Sequence, residues 1–199
     1  MAIPTAAAGT KGDRTRQRVL EIAVQRFAAD GYRRTSVSDI ARDADLTPAA
    51  VYAYFAGKEG LFQAAVDADA SALIDESRAA VEGMAMREGI SAMVSVLLTR
   101  VTEHPLAARV LSGREPDVID RLLELPSLHQ LTEETALGIE VAQAEGDIRP
   151  DVDAHLMAEG LESIVLSLLM SSLQANVGSE SPRAVATRAV LEAALRPPN

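Results

Sequence analysis

The sequence contains no cysteine, and aromatic residues make up only 3% of its 199 positions. The first absence excludes disulfides, thiolate zinc sites and cysteine nucleophiles. The second means that a core must be built from Leu, Val, Ile, Ala and Met, and a hydrophobic content of 48% is enough for one. No uninterrupted apolar run of about 18 residues occurs, so no membrane-spanning segment is expected. The opening residues MAIPTAAAGTKG lack the charged region and apolar run of a signal peptide, so residues 1–12 are expected to be a flexible tail and the protein cytoplasmic. There is no internal repeat, no sustained period-two alternation, no phosphate-binding glycine loop and no G-x-S-x-G. Helical spacing recurs from end to end, so the class is all-α.

Charge is unevenly distributed. The net charge of −10 argues at first sight against a nucleic-acid partner. Residues 1–58, however, carry nine Lys/Arg against six Asp/Glu, a net of +3, while residues 59–199 carry ten against twenty-three, a net of −13. A basic head on an acidic body would meet DNA only through the head.

The stretch from Thr35 to Lys58 holds the densest pattern. Ser36 is a natural N-cap with Asp39 as its capping-box partner. Val37, Ile40, Ala41 and Ala44 follow at helical spacing. Asp45-Leu46 is a turn, Thr47 a second N-cap, and Pro48 occupies the first helical position, where its missing N–H costs nothing. Two short helices joined by a tight turn describe a helix-turn-helix, whose second helix, here Pro48 to Phe55, enters a major groove.

These residues, read as T-S-V-x-x-I-A followed by L-T-P-A-A-V-Y-x-Y-F-x-x-K-E-x-L, resemble the DNA-binding domain of TetR-family transcriptional regulators. The motif covers about Phe27 to Phe62. Two positions depart from the family: Tyr54 stands where histidine is frequent, and Ala49-Ala50 offers few polar groups. The resemblance implies a double-stranded DNA operator as partner, with Thr35, Thr47, Tyr52 and Lys58 on phosphates and Pro48, Ala49, Ala50 and Tyr54 nearest the base edges. It implies three units: a tail (1–12), the helix-turn-helix domain (13–58) and a helical ligand-binding and dimerisation domain (59–199).

Around this stretch, a first helix is expected from about Asp13 to Asp30, closed by Gly31. Its first turns bear Arg14, Arg16 and Arg18, which oppose the helix dipole; flanking phosphates or simple solvation account for them equally well. A fourth helix is expected from about Lys58 to Val81. Lys58 in its first turn suits a phosphate held jointly with helix-end N–H groups. Further helices are expected over about Glu88–Glu103, Leu106–Leu111, Pro116–Leu125 and Ser127–Glu145.

Residues 154–176 are apolar round most of the helix, too much so for one wet side. With the final helix, about Pro182 to Leu195, they are expected to form a homodimer interface, as the resemblance also implies. Leu161, Ile164, Val165, Leu168 and Val190 are the candidate interface residues. The alternative is a core helix in a monomer.

A ligand cavity is expected in the body, walled by Leu73, Met93, Val94, Leu97, Leu98, Val110, Leu111, Leu122, Leu137 and Val141, with Arg100, His104, Arg109, Arg121 and His129 as nearby polar groups. That lining suits a small, mostly apolar molecule. Filled core is the alternative for each wall residue. Asp151, Asp153, His155 and Glu159 form the best candidate constellation for enzymatic or metal-binding chemistry, His155 and Glu159 being four apart on a helix. Carboxylates at a helix start are favoured by its dipole alone, so no catalytic residue, metal or cofactor is expected. The function read from the sequence is a TetR-like regulator, a repressor that binds a palindromic operator as a dimer and is released by the ligand. A protein-binding head and a helical enzyme remain as alternatives.

Overall fold

The computed structural model describes residues 10–115, 124–175, 178 and 180–198. Among these it contains nine α-helices, one short 3-10 helix and no strand. The chain divides into two compact units, Met1–Val66 and Asp67–Asn199, and the division falls inside a helix.

The first unit begins with α1 (Lys11–Arg34). It starts two residues earlier than the sequence reading, because Thr10 and Asp13 form a reciprocal capping box: the Thr10 hydroxyl accepts from the Asp13 N–H, and the Asp13 carboxylate accepts from the Thr10 N–H. At the far end Gly31 takes φ 80°, a conformation that suits glycine, and kinks the helix before a last turn. Helix α2 (Val37–Asp43) and helix α3 (Pro48–Tyr52) follow, and α4 runs from Gly57 to Ala80. Helix α3 ends three residues short of the expected Phe55, which nevertheless stays buried in the turn. The core of this unit is Val19, Ala23, Phe27, Ile40, Val51, Leu61 and Phe62, all nearly inaccessible. Phe27 and Phe62 meet edge-to-face at 4.9 Å.

In the second unit α4 is followed by α5 (Met86–Arg100), the 3-10 turn Val101–Glu103, α6 (Pro105–Leu111), α7 (Pro126–Glu145), α8 (Ala154–Ala175) and α9 (Pro182–Leu195). The helix expected over Pro116–Leu125 lies almost wholly outside the described residues. Helices α6 and α7 both open on proline and have no side-chain cap of their own. Helix α4 supplies the caps. The buried Asp69 carboxylate accepts from the N–H groups of Leu106 and Ala107, each at 2.8 Å, and Asp67 accepts from Ser127 N–H at 3.0 Å. These carboxylates satisfy donors that a helix start otherwise leaves orphaned.

Helix α8 is more apolar than its interrupted sequence suggests. Over an 18-residue window its mean hydropathy is 1.5, so by length and composition it is apolar enough to cross a membrane, yet only 22% of that window is buried. The scattered serines, Gly160 and Glu162 had broken its apolar run to the eye without lowering its average. Glu162 itself is bonded to the Thr132 hydroxyl of α7.

Candidate nucleic-acid interface

The helix-turn-helix is held by chemistry local to each turn. At the start of α2 the Ser36 oxygen accepts from Asp39 N–H and its hydroxyl donates to the Asp39 carboxylate at 2.6 Å. That hydrogen bond, with the Arg42 guanidinium beside it, holds the Asp39 carboxyl below the usual carboxylate range. At the end of α2 the Leu46 N–H reaches Ala41 O at 2.8 Å and the Asp45 N–H reaches Arg42 O at 3.1 Å. This is a Schellman ending, and Asp45 occupies its left-handed position at φ 57°. Aspartate is among the few side chains that tolerate this conformation. Its carboxylate also pairs with Arg18 of α1 at 2.7 Å. The sequence reading saw only a short turn here; an Asp just past the last apolar residue of a helix was the available signal. Leu46 is half-buried, not fully tucked inward.

Helix α3 is capped by the Thr47 hydroxyl, which accepts from Ala50 N–H at 3.2 Å. As an acceptor in that bond, the hydroxyl still has its own proton to donate to a phosphate oxygen. Pro48, Ala49 and Tyr52 are exposed, Ala50 is half-buried, and Val51 turns inward. The presented face of α3 therefore carries no charge. Tyr54 lies beyond α3 in the following turn, and its hydroxyl sits beside Gly12 in the first turn of α1, 3.9 Å from where a side-chain carbon would be.

Thr35 is a correction. It was expected on a phosphate, but it is only 4% exposed, and its hydroxyl donates to the Gly31 carbonyl at 2.9 Å and faces the Arg26 carbonyl at 3.3 Å. Its N–H also donates to Gly31 O. Thr35 ties down the kinked end of α1 and has no donor left for DNA.

The head's cations differ in how they are held. Arg18, Arg26 and Arg42 are engaged by Asp45, Asp43 and Asp39, and the Asp43 bond raises Arg26 above its ordinary value. Lys11, Arg14 and Arg16 stand exposed along the first turns of α1, with Arg16 placed 5.2 Å over the Phe55 ring. Lys58, at the start of α4, donates to the Arg33 carbonyl at 3.3 Å. Gly57 precedes it at φ 77°, turning the chain from the end of α3 into α4.

Residues 19–65 of this geometry match the family model described as bacterial regulatory proteins, tetR family. The head is therefore a DNA-binding domain of the TetR-family type. The chain is 24% identical over 186 residues to the HTH-type transcriptional regulator UidR of Escherichia coli K12, covering 92% of this chain and 93% of that protein. It is 27% identical over 165 residues to the HTH-type transcriptional repressor ComR of the same organism, covering 79% of each. The fold also matches the transcriptional regulator FadR from Bacillus subtilis in complex with stearoyl-CoA, with a TM-score of 0.67, 17% identity, and 90% of this chain and 97% of that one covered.

In the body the candidate ligand-wall residues separate. Leu97 and Val110 are buried and Met93 is half-buried. Leu137 and Val141 are corrections: at 57% and 58% exposed they lie on the outer face of α7, while Ala136, Ile139 and Ala142 take its inner face. Leu122 lies outside the described residues. Arg100 is exposed and pairs with Glu76 and Glu103. His104 is buried, with Nδ1 3.6 Å from Asp69 and Nε2 3.7 Å from Glu76, and the Nε2 atom has no hydrogen-bond partner. His155 faces Glu133 of α7 at 3.5 Å. Among the described residues no cluster of His, Asp and Glu has the arrangement of a metal site.

The candidate interface residues separate too. Leu161 and Leu168 are buried within their own chain and so do not belong to an outward face. Val165 is half-buried. Ile164, 41% exposed, and Val190, 64% exposed, point outward, as do Leu156 and Val185. The misassigned leucines follow from a helix apolar on several sides, for which sequence spacing does not reveal the inner stripe.

Proposed function

We propose that the protein is a homodimeric repressor that binds a palindromic operator in double-stranded DNA and releases it when its body takes up a small, mostly apolar ligand. The observation that carries this reading is the exposed, uncharged face of α3 in a head that also presents the exposed Lys11, Arg14 and Arg16, Arg16 over the Phe55 ring just after α3, and Lys58 at the start of α4. Such a face enters a groove without repelling it, while the cations meet the phosphates on either side. Pro48, Ala49 and Ala50 offer apolar contact to thymine methyls and no bidentate hydrogen bonds. Selectivity then rests on methyl contacts, on Tyr52 and Tyr54, and on DNA shape.

The pairing of two chains is supported by the outward apolar residues Leu156, Ile164, Val185 and Val190 on α8 and α9. A second copy of the same face covers them, and the cover makes sense of a helix so apolar and so little buried. Ligand control is supported by the fold shared with FadR of Bacillus subtilis, whose structure holds stearoyl-CoA. The buried Leu97 and Val110, with the unpartnered His104 Nε2 nearby in sequence, suit an apolar molecule with one hydrogen-bonding end. Repression is the role named for ComR. The reading places the protein in the cytoplasm, with no cofactor and no catalytic residue.

Selection of bound fragments from genomic DNA tests it. The expected result is an inverted repeat whose half-sites lie about one helical turn apart or a multiple of it. A library of hydrophobic compounds should then contain molecules that raise the melting temperature and release that DNA. Recovery of no preferred sequence would overturn the operator; stabilising compounds that leave DNA affinity unchanged would overturn the release.

A further inference from the structure

We propose that Tyr32 is a positioning residue for DNA binding, its ring cradling the Lys58 ammonium and fixing it for a backbone phosphate. The inference rests on the reading of the head as a DNA-binding surface in which Lys58 meets a phosphate. Lys58 Nζ lies 4.5 Å from the centroid of the Tyr32 ring and donates to the Arg33 carbonyl at 3.3 Å. A cation over a ring face is attracted by the ring quadrupole. The ring is itself held: it meets Phe62 at 5.0 Å with an interplanar angle of 67°, and stacks on Phe27 at 6.3 Å. Both phenylalanines are fully buried. The bend at Gly31, φ 80°, directs Tyr32 and the Arg33 carbonyl toward the start of α4.

The arrangement has a purpose in binding. A lysine stem is flexible, and freezing it on DNA lowers affinity. Two partners hold this ammonium before DNA arrives. The carbonyl takes one of its three N–H groups and leaves the others for phosphate oxygens. Held in the first turn of α4, the charge acts on the same anion as the unsatisfied N–H groups of the helix start. Neither partner is a carboxylate, so the positive charge stays uncancelled, unlike that of Arg18, Arg26 and Arg42.

The test measures binding of the full chain to the selected duplex and to an unrelated duplex, across a salt series, for Tyr32→Phe, Tyr32→Leu, Tyr32→pentafluorophenylalanine, Lys58→Ala and Tyr32→Leu with Lys58→Ala. Lys58→Ala should weaken both duplexes alike and lower the salt slope by about one. Tyr32→Phe keeps the ring quadrupole and should bind within about twofold of the parent. Tyr32→Leu and the fluorinated ring, which reverses the quadrupole at nearly unchanged volume, should each lose about threefold to tenfold. In the double variant the leucine should add nothing to the loss already caused by Lys58→Ala. A fluorinated ring that binds as tightly as Tyr32→Phe would overturn the proposal, whether or not Tyr32→Leu folds. So would a leucine loss undiminished when Lys58 is absent. A Lys58→Ala variant with unchanged affinity and salt slope would remove the phosphate contact beneath it, a failure distinct from the other two.

Discussion

Helices α1 to α3 of the head and helices α6 and α7 of the body are capped in different ways. In the head, α1, α2 and α3 are each capped from within three residues: Thr10 with Asp13, Ser36 with Asp39, Thr47 with Ala50. In the body, α6 and α7 begin on proline and take their caps from Asp69 and Asp67 of α4, carboxylates 37 to 60 residues away. The same orphaned N–H groups are answered in both units. Local answers leave a trace in sequence spacing, and remote ones do not.

The surfaces differ as well. In the head the large exposed apolar side chains are tyrosines, Tyr52 and Tyr54, beside the presented face of α3. In the body they are Met84, in the turn after α4, and aliphatic side chains on α7, α8 and α9, of which those on α8 and α9 leave a face that a second chain covers in the proposed dimer. The variant that cuts deepest into this contrast is Ile164→Glu with Val190→Glu. Burying like charges across a twofold axis should convert a dimer to a folded monomer in sedimentation and lower operator affinity by about a hundredfold or more, since one half-site remains engaged. A variant that still sediments as a dimer would move the interface off this face.

A comparison of caps comes next. Asp69→Ala leaves two buried backbone N–H groups without a partner and should destabilise the body by about 2–4 kcal/mol in chemical denaturation. Thr47→Ala, a local cap in the exposed head, should cost about 1 kcal/mol. Equal losses would mean that the remote cap is no more than a surface contact.

How much of the molecule was legible follows from the same contrast. Ser36, Thr47, Pro48 and Gly31 marked the boundaries of α1, α2 and α3 because their effect is confined to the adjoining turn. The length of α3 was overestimated, since Phe55 is buried in a turn as completely as it would be in a helix. Thr35 was misread because nothing in T-S-V distinguishes a hydroxyl aimed at a phosphate from one aimed at Gly31 O. Leu137 and Val141 look like core by composition, and only the packing of Ala136 and Ile139 shows that α7 turns its other side inward. No sequence spacing marks Asp67 and Asp69 as caps, because their partners lie far along the chain.

Thr35→Val sharpens the head's side of the comparison. With the hydroxyl gone, the head should lose about 1 kcal/mol of stability, while the salt slope of DNA binding stays unchanged. A lower salt slope would return Thr35 to the phosphates. The smallest effect is electrostatic. Asp13 and Asp39 have carboxyls held below their ordinary range, Asp13 by hydrogen bonds from the Thr10 hydroxyl and N–H, Asp39 by the Ser36 hydroxyl and then Arg42. A folded value below the unfolded one gives stability that is present above the ordinary carboxylate range and lost as pH falls through the lowered value. Melting temperature measured from about pH 6 to about pH 3 should therefore decline less in Ser36→Ala than in the parent, because that variant has already lost part of the acid-sensitive contribution.

The remote caps also impose an order in time. Asp67 and Asp69 precede Leu106 and Ser127 in the chain, so on the ribosome α4 is made before the helices it caps. At about 5–20 residues per second the wait is roughly two to twelve seconds, longer than a helix takes to form. The start of α6, and later that of α7, thus emerges to find its carboxylate already in place. A circular permutant that placed α4 after α7 would keep every contact of the finished body and lose that sequence of events.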